Sequence, residues 1–366
     1  MHRLMSGTVF GLLLLAPSVQ GQDVSTVRNS FRPAAPPPEL TVQVRVGASG
    51  SEEALLYGPR QMTVGEDGTL YVTDRGNKAI HMYAPDGTFL GRVGQEGGGP
   101  GEFQMPAGCW FTPDGRLAVK DLMNRRISFF TTEGSFLESE PMDGEVLTGA
   151  TPVPIGQDRY MRAGTGDMVV MEVRPGAGYP PLPPLVEILD SEGDLIRTFG
   201  EPKPVQEPRN RVLVNTIRAA GKDGSVAVAF HYFDEIRIYD AGTGDLERVI
   251  TRELAFTPRT PEMAVRDPGA VRAAADPVTF DIAYDGGGRL WVITALLGQK
   301  ASDTRFEEGN TTGLVRMEVY GGDGRLIAAW TLQEPANQMA FAPDGSLWLL
   351  DSRYTNTARR CAVRWP

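Results

Sequence analysis

An all-β chain of repeated four-stranded units, closed into a ring of six, is predicted by three observations. A unit recurs with a period of 47 residues, measured from Asp67 to Asp114. Each copy breaks into short apolar runs separated by Asp-Gly turns, which supply the left-handed backbone that tight hairpins need. Finally, a lone alternating strand at residues 40–46 (LTVQVRV) precedes the first copy, and the last copy stops one strand short. Together these describe a six-bladed β-propeller of four-stranded antiparallel blades, closed by the N-terminal strand completing the last blade.

Blade one parses from residue 59. An apolar run at 61–64 meets the Asp67-Gly68 turn, a strand at 69–73 ends at Asp74, and Asp74-Arg75-Gly76-Asn77 reverses the chain. A third strand at 79–83 meets Pro85-Asp86-Gly87, and a fourth at 88–93 runs into a Gly-rich loop. Blade two repeats the pattern from Pro106. The later copies are degenerate: blade three lies around 156–160 and 189–199, blade four around Asp223-Gly224 and 235–239, blade five around Asp285-Gly286 and Asp323-Gly324. Blade six carries Asp344-Gly345 and ends with a strand at 361–365.

The run from Gly97 to Pro106 and from Asp114 to Ile127 (G-x-x-x-x-G-x-F-x-x-P, then D-G-x-L-x-V-x-D-x-x-N-x-x-I) resembles the NHL repeat, closely over residues 59–138 and weakly beyond. The resemblance implies a six-bladed propeller. Gluconolactonase-like hydrolases, amidating lyases and streptogramin lyases resemble this fold, with metal-binding Glu, Asp, Asn or His side chains at the central channel. Aligned on its Asp-Gly turns, this chain offers the channel Gln61, Asn215, Asp281, Asn337 and Gln338, one carboxylate among amides. Calcium wants several oxygen ligands, usually more than one of them acidic. Asp281 is therefore a weak metal candidate, and at most a weakly bound calcium is expected.

Residues 1–21 read as a signal peptide, with His2 and Arg3 ahead of a short apolar run and small residues at Val19-Gln20-Gly21. The apolar run is shorter than the ~20 residues a membrane span needs. A secreted or periplasmic protein with no membrane insertion after signal removal is expected. Residues 22–39 read as a Pro-rich linker and 40–366 as the propeller. A net charge of −10, without a basic patch, disfavours nucleic acid. The two cysteines, Cys109 and Cys361, sit in apolar runs and read as buried thiols.

Loops between blades, and between second and third strands, share one face of a propeller. That face carries Asp74, Arg75, Glu96, Glu102, Asp121, Arg125, His231 and Asp351 as binding candidates, with two insertions, at 256–275 and a polar, mobile loop at 298–312. Asp and Asn side chains also cap tight turns, so the Asp-x-x-Asn pairs, recurring by blade, read first as structure and only second as ligand contacts. His231 is placed where blade one has Asp74, with no partner for base catalysis. The expected function is non-catalytic binding of a protein, peptide or glycan by a monomer. A lactonase-like, metal-dependent hydrolase or lyase centred on Asp281 is the alternative.

Overall fold

The computed structural model describes residues 24–142, 153–155, 159–163, 169–172, 184–191, 193–207, 211–214, 217–222, 224–260 and 275–366. The signal peptide, Asn215 and most of the 256–275 insertion lie outside the described residues.

Strands β1 (Ser25–Asn29) and β2 (Glu39–Val46) precede the first blade. Blade one is β3 (Pro59–Val64), β4 (Leu70–Asp74), β5 (Ala79–Tyr83) and β6 (Phe89–Val93); blade two is β7 (Pro106–Phe111), β8 (Leu117–Asp121), β9 (Arg126–Phe130) and β10 (Phe136–Pro141). Blade three is β11 (Val153–Pro154), β12 (Tyr160–Ala163), β14 (Val186–Leu189) and β15 (Leu195–Phe199). Between its second and third strands the chain makes β13 (Val169–Glu172), which joins β16 (Pro204–Glu207) and β17 (Arg211–Val214) in a separate sheet. Blade four is β18 (Ile217–Lys222), β19 (Ser225–Phe230), β20 (Ile236–Asp240) and β21 (Leu246–Arg252). Blade five is β22 (Thr279–Tyr284), β23 (Leu290–Ala295), β24 (Val315–Tyr320) and β25 (Leu326–Thr331), and blade six is β26 (Gln338–Phe341), β27 (Leu347–Asp351), β28 (Thr357–Arg364) and β2.

The predicted closure is present. β2 runs antiparallel to β28 from Glu39↔Arg364 to Val46↔Ala358. Gly87 records how tightly that closing strand fits: its φ of +89° suits only glycine, and a Cβ there would stand 2.5 Å from Val44.

Second strands are buried on both faces, and their two-residue period sorts side chains between neighbouring blades. In β4, Leu70 and Val72 pack with Trp348 and Leu350 of blade six, while Tyr71 packs with Cys109 and Val119 of blade two. In β23, Leu290 and Val292 meet Ile236 and Ile250 of blade four, and Trp291 and Ile293 meet Leu347 and Cys361 of blade six. Both cysteines are buried free thiols. This double-sided burial explains why second strands read as continuous apolar runs.

Two segments differ from expectation. Residues 22–39, expected as a linker, carry β1, which pairs in parallel with β21 as a fifth strand of blade four, from Ser25↔Arg248 to Asn29↔Arg252. The stretch 298–312, expected as a mobile loop, contains helix α1 (Gln299–Glu307).

His81 in β5 is fully buried and held neutral. Asn77 Nδ2 stands 3.1 Å from Nε2, and Tyr83 Oη 3.4 Å from Nδ1. The Tyr83 hydroxyl donates to the Ala54 carbonyl at 2.6 Å, so Nδ1 carries the proton and Nε2 accepts from the amide. Burial pushes the imidazole down to about 4. The unfolded imidazole titrates near 6.5, so stability is complete above that pH and falls as pH drops toward 4, by about 3 kcal/mol in all. Denaturant titrations at pH 7.5, 5.5 and 4.5 should show this decline in the wild type and a flatter one in His81→Gln.

Candidate functional site

The blade-six turn between second and third strands meets helix α1, and the carboxylates of the corresponding turns in blades one, two and six are committed to backbone. Asp74, fully buried, accepts N–H groups from Tyr57 (2.8 Å), Gly76 (2.9 Å) and Asn77 (3.2 Å), and the Asn77 amide at 2.9 Å. Asp121 does the same for Gln104 (2.9 Å), Met105 (2.8 Å) and the Asn124 amide (2.7 Å). Asp351 holds the Thr355 N–H and hydroxyl, both at 2.8 Å. These three candidates are turn-holders whose side chains do not reach the face.

The residues around them vary in placement. Arg75 is half-buried beside Gly58, whose carbonyl accepts the Arg75 N–H at 2.9 Å. Arg125 is exposed, with a φ of 51° that the turn imposes. Glu96 is exposed and pairs with Lys78 at 2.7 Å. Glu102 closes its own Gly-rich loop by accepting the Gly99 N–H at 2.8 Å, a contact that lowers its carboxyl pKa.

The channel candidates also have protein partners. Asp281 Oδ2 accepts the Met339 N–H at 2.8 Å, and the Gln338 amide donates to the Arg60 carbonyl. The same ring position therefore joins blade five to blade six, and six to one. Asn337 faces the blade-six turn instead, donating to Ser352 Oγ and accepting the Ser352 N–H, each at 2.8 Å. Gln61 lies half-buried in β3, the neighbour of β26. Among the described residues no three His, Cys, Asp or Glu side chains are placed to hold a metal ion.

Strand pairing corrects the position of His231. Val226↔Tyr239 corresponds to Leu70↔Tyr83, so Phe230 occupies the place of Asp74 and His231 follows it. In blade five that place belongs to Thr294. Two consecutive blades thus lack the turn-holding carboxylate, and a buried ion network stands there instead. Arg252, with a side chain 2% exposed, donates to Asp234 (2.8 Å), Thr294 (2.9 Å) and Thr279 (2.7 Å). Glu318 accepts from Thr294 (2.9 Å) and Tyr320 (2.8 Å) and lies 3.4 Å from both Arg252 and Arg316.

Next to this network, blades four to six form a ledge of rings around Arg353, of which the sequence pointed only to His231. His231 Nδ1 donates to the Thr279 carbonyl at 2.5 Å, and its ring meets Phe280 edge-on at 5.9 Å between centroids. Phe280 sits at a bulge in the inner strand, between Thr279 and Asp281, as Arg60 and Ala107 do in blades one and two. Bulges of this kind re-aim side chains at the ends of inner strands. The Arg353 guanidinium lies 5.6 Å from the Phe280 ring and 5.2 Å from Tyr354. Helix α1 holds it there: Asp303 is 3.4 Å from Arg353 and accepts the Tyr354 hydroxyl at 3.0 Å, while Phe306 stacks on Tyr354 at 4.5 Å. Burial raises the Tyr354 phenol to about 12, so it stays a donor. An open groove of about 710 Å³ runs along the same helix, lined by Asp276, Lys300, Arg305 and Glu308 among others.

A family model described as a 6-bladed beta-propeller matches residues 51–161. No curated protein matches the chain by sequence. Among solved structures, a Bacteroides vulgatus protein of the duf4221 family is similar with a TM-score of 0.59 at 10% identity, covering 90% of this chain and 98% of its own. A Bacteroides fragilis protein carrying the designation "exported protein" gives 0.57 at 10% identity, over 93% of this chain and 100% of its own. A gluconolactonase of Xanthomonas campestris gives 0.50 at 13% identity, over 91% and 99%. At these identities the likeness concerns fold alone, and it agrees with the sheet order: the chain is a six-bladed β-propeller.

Proposed function

We propose that this protein is a secreted or periplasmic propeller that binds an acidic peptide, protein segment or glycan, without turnover, on the ledge formed by blades four to six. One observation carries the reading: Arg353 is fixed between two aromatic rings by Asp303, while the neighbouring turn carboxylates are committed to backbone N–H groups. A held guanidinium flanked by rings suits a carboxylate attached to an apolar or sugar body. Asp281 already bonds the Met339 N–H, and among the described residues no three His, Cys, Asp or Glu side chains are placed to hold a metal ion. The export reading draws on residues 1–21 and on the likeness to a protein designated as exported.

Peptide and glycan arrays probed with the purified protein test this. Ligands retained by the wild type should weaken about thirtyfold in Arg353→Ala and in Tyr354→Ala, about 2 kcal/mol, the scale of an interface hot spot. Turnover in a lactone and ester screen, abolished by Asp281→Ala, would refute the proposal in favour of the hydrolase alternative.

A further inference from the structure

We propose that residues 24–35 are a detachable peptide ligand of the propeller's own rim, and that the seam of blades four and five is a recognition groove for an extended segment carrying Asn two residues before Phe. The segment lies in parallel with β21, an edge addition that uses main-chain pairing for affinity. Specificity comes from side chains. Asn29 Nδ2 donates to the Gly324 carbonyl at 3.0 Å, and its Oδ1 accepts the Leu326 N–H at 2.8 Å, so one amide reads both sides of a blade-five backbone segment. Two residues on, the Phe31 N–H donates to Glu253 at 2.9 Å and its carbonyl accepts from Arg316 at 2.8 Å. The Phe31 ring lies under that guanidinium at 3.7 Å. Ala35 then donates to the Ile327 carbonyl at 2.8 Å before the chain leaves for β2.

The groove is built independently of its occupant. Arg316 is held by Glu318 at 3.4 Å, and the Gly324 and Leu326 backbone belongs to a blade-five hairpin closed by Gly324 N–H to Gly321 carbonyl at 2.9 Å. The segment itself buries little. Val24 and Phe31 are each 39% exposed, and no residue from 24 to 37 is fully buried. Polar, directional contacts with scant apolar burial make a segment that opens locally without unfolding the domain. Such a segment behaves as a tethered ligand, its occupancy set by effective concentration.

The probe is a fluorescein-labelled peptide with the sequence of residues 24–35, titrated into a chain that begins at residue 37. Saturable binding to the shortened chain is expected, with binding to the full-length protein at least tenfold weaker because its groove is filled. A peptide carrying Asn29→Ala should bind the shortened chain more than tenfold less well. Absence of saturable binding to a shortened chain that melts cooperatively, or equal binding to both chains, overturns the proposal. If the shortened chain does not fold, full-length protein carrying Asn29→Ala and Phe31→Ala decides the matter. Trypsin should then cut after Arg28 at least tenfold faster with the propeller left intact, and an unchanged rate overturns the proposal.

Discussion

Arg252→Met is expected to destabilise the protein by about 3–5 kcal/mol, the cost of leaving a buried charge without its partner. Arg252 is the shared cation of Asp234 and Glu318, and it also satisfies two threonine hydroxyls. Without it, the Glu318 side chain, 3% exposed, keeps two hydroxyl donors and the 3.4 Å contact with Arg316. Asp234 loses the guanidinium and keeps only the residue-252 backbone N–H, at 2.8 Å, so the turn bearing His231 is held by one contact instead of two. The measurement is the denaturant midpoint at pH 7 with an unchanged slope. Adding Glu318→Leu to Arg252→Met should deepen the loss, since it also strips the buried Arg316 of its carboxylate. A loss below about 1 kcal/mol, the scale of an exposed ion pair, would show that the network is solvated.

A chain that begins at residue 47 should fail to form a folded monomer. It lacks β2, and blade six would end at β28, an eight-residue strand with its outer edge open. Val46 is buried in the cluster that joins blades six and one, so the ring also loses part of its apolar seam. Ring closure is a single cooperative event, and losing it puts at risk the whole stability of such a fold, about 5–15 kcal/mol. An open, apolar edge strand also pairs with other molecules. The expected result is a broad, non-cooperative melt with aggregation, whereas the chain starting at residue 37, which keeps β2, should melt as one unit at a lower temperature. Equal melting of the two shortened chains would show that β2 does not close the ring.

These two cases also show what could be read from the amino-acid sequence. The closing strand was legible because residues 40–46 alternate cleanly and blade six visibly lacks a partner. Blades one, two and six were legible through Asp74, Asp121 and Asp351, each of which collects several backbone N–H groups and so recurs wherever that turn is used. Blades four and five were faint because Phe230 and Thr294 replace those acids, which also moved His231 by one position. The compensating Arg252 and Glu318 are 66 residues apart and follow no local pattern. Helix α1 escaped detection for a similar reason: its sequence, QKASDTRFE, has no apolar stripe, and it meets the blade-six turn through Phe306 and Asp303. β1 carries one valine and pairs with a strand more than two hundred residues away, so neither alternation nor a turn announced it. The ledge depends on both blind spots at once, joining a residue of α1 to a turn of blade six.

The pairing of β2 with β28 has a consequence for the order of events in a cell. A ribosome makes β2 more than three hundred residues before its partner, and contacts so distant in sequence form late. Until the last strand emerges, the ring has no closed state to settle into, and the nascent polypeptide stays threadable.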